Sequence, residues 1–275
     1  MRWQARVVVE WVLSAPGGDR LAHVAQRHVT HSLPTPPELF AAVAGRSIPH
    51  IAQVGPHLRV PIAEATFYEF GAGHELIGPL VFYGLGVNHQ IVHDIRPLLR
   101  AEYVNAALDK LRRGGALSLH REIPDICLTR DSVRTQLESE LGIRYQAPRD
   151  AEDTGLASAS VDCITTTSTL EHIAAGALPA ILAECYRVLK PDGVMSHAID
   201  YKDHYSYGDP RIRADHFLRF SPRQWRFLNP PRFYQNRLRH ADYLRLFRDA
   251  GFLVLAERCD ADGGGAQVVL RKARR

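Results

Sequence analysis

Apolar positions along the chain change their spacing near residue 65. Before it they recur at helical intervals in short runs. Trp11, Val12 and Leu13 end one such run at Pro16-Gly17-Gly18, and Leu21, Val24 and Ala25 mark a second. Pro34-Thr35-Pro36-Pro37 then breaks the chain before Glu38-Leu39-Phe40-Ala41-Ala42-Val43. After residue 65, short strand-like runs alternate with helical ones. Strands are predicted at 66–70, 90–94, 143–146, 161–166 and 194–199. Leu178, Ile181, Leu182, Cys185, Val188 and Leu189 form an amphipathic helix before the fifth strand, and Lys190-Pro191-Asp192-Gly193 stops it. Leu244, Phe247 and Ala250 mark a last helix, closed by Gly251. A strand pair at 252–255 and 266–270 then turns at Gly263-Gly264-Gly265.

Alternating strands and helices specify an α/β fold with a parallel sheet. The expected architecture is a Rossmann-like, seven-stranded, mostly parallel sheet with an antiparallel C-terminal hairpin. The 1–63 segment has too little apolar surface to stand alone and is expected to pack as a helical cap on a 64–275 domain. Two intervals exceed what a crossover needs: about 96–142, with helical runs near 103–111 and 132–141, and the aromatic-rich stretch 201–239. Both read as insertions beside a site.

Composition narrows the function classes. The formal charge is +4, yet Arg271, Lys272, Arg274 and Arg275 alone carry four positive charges at the end of the chain. The body is therefore near neutral, which argues against a nucleic-acid partner. The four cysteines lie apart with no C-x-x-C pair, so neither a disulfide framework nor a structural zinc site is signalled. No apolar run approaches the ~18 residues of a membrane span. A cytoplasmic monomer or homodimer is expected.

The chemistry concentrates at strand ends. Glu69-Phe70-Gly71-Ala72-Gly73 closes the first strand and opens a helix. Glycines there let a nucleotide-like ligand approach the backbone, although a plain strand–helix turn would use them too. Asp94, ending the second strand, can accept from ribose hydroxyls. A dinucleotide fingerprint wants a third glycine, where this chain has His74-Glu75. A carboxylate beside a pyrophosphate is electrostatically wrong. S-adenosylmethionine has no phosphate and bears a sulfonium and an ammonium, which suit Glu69 and Glu75.

The succession continues with Asp150-Ala151-Glu152-Asp153 after the third strand and Ser168-Thr169-Leu170-Glu171-His172 after the fourth. Glu184-Cys185-Tyr186-Arg187-Val188-Leu189-Lys190-Pro191-Asp192-Gly193 follows. This order closely resembles the class I S-adenosylmethionine-dependent methyltransferases, in particular the small-molecule group called methyltransferase type 11. The resemblance covers about 65–199 firmly and the C-terminal helix and strand pair more loosely. It implies a methyl transfer that leaves S-adenosylhomocysteine. It places Glu69, Gly71, Ala72 and Gly73 under the methionine and ribose, Asp94 on the ribose hydroxyls and Ile95 against the adenine. Asp150 and Ala151 fall at the adenine amino group, and Thr167 and Ser168 near the sulfonium. The main departure is at Glu75, where the family's loop carries a third glycine.

On the acceptor side, a neutral His172 could take a proton from a hydroxyl or amine, or could simply bond a backbone carbonyl. Asp200, Tyr201 and His204 follow the fifth strand at the same edge. Tyr234, Asn236 and Arg237 are candidates for holding a small-molecule acceptor, Arg237 through a bidentate pair with a carboxylate or phosphate. A metal-assisted reaction would need carboxylates ending strands four and five, but strand four ends in Thr165-Thr166-Thr167-Ser168, so no catalytic metal is expected. Asn229-Pro230-Pro231-Arg232-Phe233 resembles the loop of amino-group DNA methyltransferases, but stands in the wrong place and reads as a rigid turn. The same pocket would also serve a cyclisation or other group transfer, or an inactive binding subunit. The sequence leaves these open.

Overall fold

The structure, a computed structural model, describes residues 1–114 and 117–273; Arg274 and Arg275 of the basic tail lie outside the described residues. Four helices come first: α1 (Trp3–Leu13), α2 (Gly18–His28), α3 (Pro37–Gly45) and α4 (Ile48–Val54). The sheet then builds as β1 (Thr66–Phe70), α5 (Ile77–Gly84), β2 (His89–His93), α6 (Ala101–Arg113), α7 (Val133–Leu141), β3 (Ile143–Gln146) and β4 (Val161–Thr167). It continues with α8 (Leu178–Val188), β5 (Leu189–Asp200), α9 (Pro222–Leu228), α10 (His240–Asp249), β6 (Phe252–Cys259) and β7 (Gly265–Lys272).

The strand order is β3-β2-β1-β4-β5-β7-β6. All pairs from β3 to β5 are parallel, and β7 runs antiparallel to both β5 and β6. The seven-stranded Rossmann-like sheet with its antiparallel end is as the alternation predicts. Central strands are covered on both faces, which is why β1 and β4 read as near-continuous buried runs rather than alternating ones. Buried Asp162 ties their lower ends: its Oδ2 accepts the Thr66 amide (2.9 Å) and Lys190 Nζ (2.7 Å).

Two boundaries differ by several residues from the sequence reading: β6 runs to Cys259 rather than ending at 255, and β5 starts early. β5 begins at Leu189 and runs through Lys190-Pro191-Asp192-Gly193, which its turn-forming residues mark as a stop. Leu189 pairs with Val161, and the register then shifts so that Cys163 faces Val194. The stretch is a bulge inside the strand, held in the ladder at both ends.

The N-terminal helices split between two packings. Phe40, Ala44, Ile51 and Val54 of α3 and α4 join the core formed by β1, α5 and α6. Val7 of α1 packs with Tyr205, Phe217 and Trp225 of the second long interval. α5 is apolar on nearly every side because the sheet lies on one face and α3 and α4 on the other. Among the described residues, no helix is long and apolar enough to cross a membrane.

Candidate active site

The five parallel strands, β1 to β5, deliver their carboxyl ends to one edge of the sheet, the position where α/β folds bind ligands. Gly71, just past β1, has φ +78°, and its amide donates to the His93 carbonyl (2.9 Å). A Cβ there would collide with the Thr169 side chain, so both conformation and space demand glycine. Gly73 (φ +70°) donates its amide to Asp94 Oδ2 at 3.3 Å, while Asp94 Oδ1 accepts the Arg96 amide at 3.0 Å. The buried Asp94 carboxylate thus shapes the turn between β1 and α5 from the end of β2. Ala72 packs against the core, and the neighbouring Ile95 side chain is 63% exposed, an apolar surface left open beside a polar turn.

Asp150 lies in the open loop after β3 with Oδ1 accepting the Glu152 amide (2.9 Å), and Ala151 packs inward behind it. Thr167 ends β4 and shares a hydrogen bond with His50 Nε2 (3.2 Å). Ser168 follows in the left-handed region (φ +50°), held by its amide on the Ala198 carbonyl (2.8 Å). A non-glycine residue fixed there carries backbone strain of the kind that collects at functional sites. Glu69 sits beneath the loop. Its Oε2 accepts from Thr165 (3.2 Å), and burial pushes its carboxyl up to about 8.

Glu75 departs from its expected role. Its oxygens accept the amide and hydroxyl of Thr35, fastening the loop to the segment before α3. A carboxylate spent in this way does not face a ligand's charge.

Across the edge, Ser168, Glu171, His172, Asp200, His204 and Tyr207 line one cavity of about 430 Å³, with Arg6 and Arg46 also on its wall. His172 closes a helical turn, Leu170–His172. Its Nδ1 lies 2.9 Å from the Tyr234 carbonyl, which can only accept, so Nδ1 carries the hydrogen and Nε2 keeps a lone pair. Burial, opposed by that bond, lowers its pKa from the ordinary imidazole value. The His204 ring centre is 4.8 Å away. His204 Nε2 stands 3.5 Å from Asp200 Oδ2, which also accepts from the Tyr207 hydroxyl, while Oδ1 accepts the Lys202 amide (2.9 Å). Despite burial, these donors hold the Asp200 carboxyl below its usual range.

Residues 126–196, from the segment before α7 into β5, match the family model described as a methyltransferase domain. No curated protein matches the chain. Solved structures of similar fold include the CurJ carbon methyltransferase, at 15% identity and TM-score 0.53, over 97% of this chain and 67% of that one. The 1,6-didemethyltoxoflavin-N1-methyltransferase of Burkholderia thailandensis aligns at 17% identity and TM-score 0.53, over 93% and 87%. The geranyl diphosphate C-methyltransferase of Streptomyces coelicolor aligns at 13% and 0.51, over 86% and 80%. Over residues 126–196 the chain is therefore similar to methyltransferase domains, and it shares the fold of these three proteins.

Several side chains expected in this site are engaged elsewhere. Tyr201 turns into the core, stacked on Tyr243 with its hydroxyl 3.0 Å from His240 Nδ1, and does not join His172 and His204. Buried Asn236 spends its amide on the Leu170 and Ile173 carbonyls (both 2.9 Å) and its oxygen on Tyr243 and the Leu238 amide. It braces the turn that carries His172. Tyr234 reaches the cavity group only through its carbonyl. Arg237 donates to the Phe217 and Phe220 carbonyls and lies over the Trp225 ring (5.7 Å). Arg237→Ala should therefore lower the melting temperature by several degrees, the scale of about 1–2 kcal/mol, without a selective rise in acceptor KM. A large KM effect at unchanged stability would contradict this placement. Asn229 in the Asn-Pro-Pro segment brackets Gln235 through two bonds of 2.9 Å, the rigid turn expected of it.

In the sequence, Glu171 stands out only as part of the Leu-Glu-His segment. In the structure it is 1% exposed, lines the cavity, and neither carboxyl oxygen has a hydrogen-bond partner among the described residues. Burial pushes its pKa up to about 8. An acid whose pKa is raised on folding binds its proton more tightly in the native state. Its contribution to stability is greatest at low pH and is lost as pH rises from the ordinary value of 4.5 through about 8. Glu171→Gln should flatten the fall of melting temperature across that window. An unchanged slope would mean the carboxyl is compensated in solution.

Proposed function

We propose that this methyltransferase passes the sulfonium methyl of S-adenosylmethionine to a small-molecule acceptor held in the cavity between Ser168 and His204. Glu69, Gly71, Ala72 and Gly73 form the floor under the methionine and ribose. Asp94 accepts from the ribose hydroxyls, Ile95 covers the adenine, and Asp150 with the Ala151 amide receives the adenine amino edge. Thr167 and Ser168 bring the methyl to the mouth of the cavity. The acceptor's nucleophilic atom attacks the methyl carbon in line; that bond forms as the sulfur–methyl bond breaks. The electron pair stays on sulfur, and S-adenosylhomocysteine leaves. Alignment of the two reactants in one site supplies much of the rate.

The observation that carries this reading is His172. Burial lowers its imidazole pKa, its Nδ1 is fixed on the Tyr234 carbonyl, and its ring belongs to the same cavity as Ser168 at the cofactor edge. A protonated hydroxyl or amine can give its proton to Nε2. His204, set against Asp200, completes the polar wall. The N-terminal helices (1–63) and the 201–239 insertion close the acceptor side through Arg6, His204, Tyr207 and Phe233. Two proteins of this fold were solved with S-adenosylhomocysteine beside a small molecule, geranyl diphosphate in one and 1,6-didemethyltoxoflavin in the other, which favours the same acceptor class.

Incubation of the protein with methyl-deuterated S-adenosylmethionine and a metabolite extract tests the reading. Deuterium should appear in a low-mass product in step with S-adenosylhomocysteine. Release of S-adenosylhomocysteine with no labelled product would point to chemistry other than methyl transfer.

A further inference from the structure

Glu171, His172 and His204 each present one ligand-type atom, and these three atoms lie within 4.8 Å of one another. The Glu171 carboxylate is buried with both oxygens unpartnered among the described residues, a costly state for a polar group unless something completes it. His172 is held from behind by a carbonyl on Nδ1, the arrangement that orients ligating imidazoles. Asp200 stands 3.5 Å from His204, another partner of the kind found behind metal ligands. Spacing along the chain does not signal this set, because His204 comes from the loop after β5 while the other two follow β4.

We infer that Glu171, His172 and His204 form a binding site for a first-row transition dication, which would hold an oxygen atom of the acceptor. Two imidazoles and one carboxylate suit Zn²⁺, Mn²⁺ or Fe²⁺, whereas Mg²⁺ and Ca²⁺ prefer oxygen ligands throughout. Donor atoms in a tetrahedral zinc site stand roughly 3.4 Å apart, so side-chain adjustments on the order of 1 Å would close this group around an ion. Three protein ligands leave one position open, facing the cavity shared with Ser168. The unpaired Glu171 carboxylate and nearby Asp200 would offset the ion's charge beside the sulfonium. With an ion bound, the His172 lone pair would be spent on it and the ion's charge would activate the acceptor; in the metal-free protein that lone pair takes the acceptor's proton. The site's location rests on the residues alone; its role toward the acceptor rests on the methyltransferase reading.

Protein dialysed against a chelator and titrated with Zn²⁺ against a chromophoric competitor tests the site. One site per chain is expected, weakened at least about tenfold in Glu171→Gln and in His204→Gln, with no competition from Mg²⁺. Cys127→Ser and Cys259→Ser, at the two exposed thiols, should leave it intact. Co²⁺ in place of Zn²⁺ should give a visible ligand-field band that those two site variants lose. Equal Zn²⁺ affinity in the site variants and the parent, or loss only in the cysteine variants, would overturn the inference. Calorimetry with S-adenosylmethionine on the same parent protein reads the methyltransferase assignment separately: a chain that binds it but no Zn²⁺ overturns the metal site alone.

Discussion

Asp94→Ala should weaken S-adenosylmethionine binding by about 1–3 kcal/mol, roughly 5- to 150-fold in dissociation constant, while the protein remains folded. Two losses combine in that variant. The Gly73 amide loses its acceptor, so the turn under the ligand is no longer held in its left-handed form. The ribose hydroxyls lose theirs as well. Asp94→Asn separates the two, since its amide oxygen can still receive the Gly73 amide but the carboxylate's capacity to accept two hydroxyls is gone. Calorimetric titration of both variants should rank the parent first, Asn second and Ala last. An Ala variant with parental affinity and an intact fold would remove Asp94 from the cofactor site.

His172→Gln should lower kcat by about 10²- to 10⁴-fold with S-adenosylmethionine affinity close to the parent's, the scale of losing a proton acceptor positioned at the nucleophile. Glutamine keeps a donor for the Tyr234 carbonyl, so the turn should survive. The pH profile distinguishes a chemical role from a structural one. In the parent, burial lowers the imidazole pKa below 6.5, and the acid limb of kcat should fall there as protonation removes the Nε2 lone pair. The variant should lack that limb. If His172 only ties the turn to Tyr234, the loss will appear in melting temperature and the limb will remain.

Much of the fold was legible because strong local signals agreed with the long-range pairing. The runs at 66–70 and 143–146 coincide with β1 and β3, and Gly251 closes the helix before β6 as expected. Gly71 and Gly73 could be read as a ligand loop because a positive φ leaves a mark on sequence that few other residues can satisfy. The bulge at the start of β5 was hidden, since Pro191-Asp192-Gly193 has turn chemistry and only the pairing of Leu189 with Val161 keeps it in the sheet.

The candidate site was less legible wherever a side chain's partner is distant in sequence. Glu75 belongs to Thr35, Tyr201 to His240, Arg237 to the carbonyls of Phe217 and Phe220, and nothing near those residues announces it. Each is a polar group that could equally have faced a ligand. Glu171 failed in the opposite direction. Its neighbour His172 drew attention as a base, while desolvation of the carboxyl beside it depends on how α10, β5 and the 201–239 segment close around the turn, which periodicity does not encode.

The edge formed by Gly71, Gly73, Asp94 and Ser168 is expected to bind S-adenosylmethionine beside an acceptor cavity. Isothermal titration of the parent chain with S-adenosylmethionine and with S-adenosylhomocysteine tests it most directly. One saturable site per chain is expected for each ligand, with both affinities reduced in Asp94→Ala. No measurable heat or protection by either ligand on a folded chain, or binding that is indifferent to Asp94, would contradict the account.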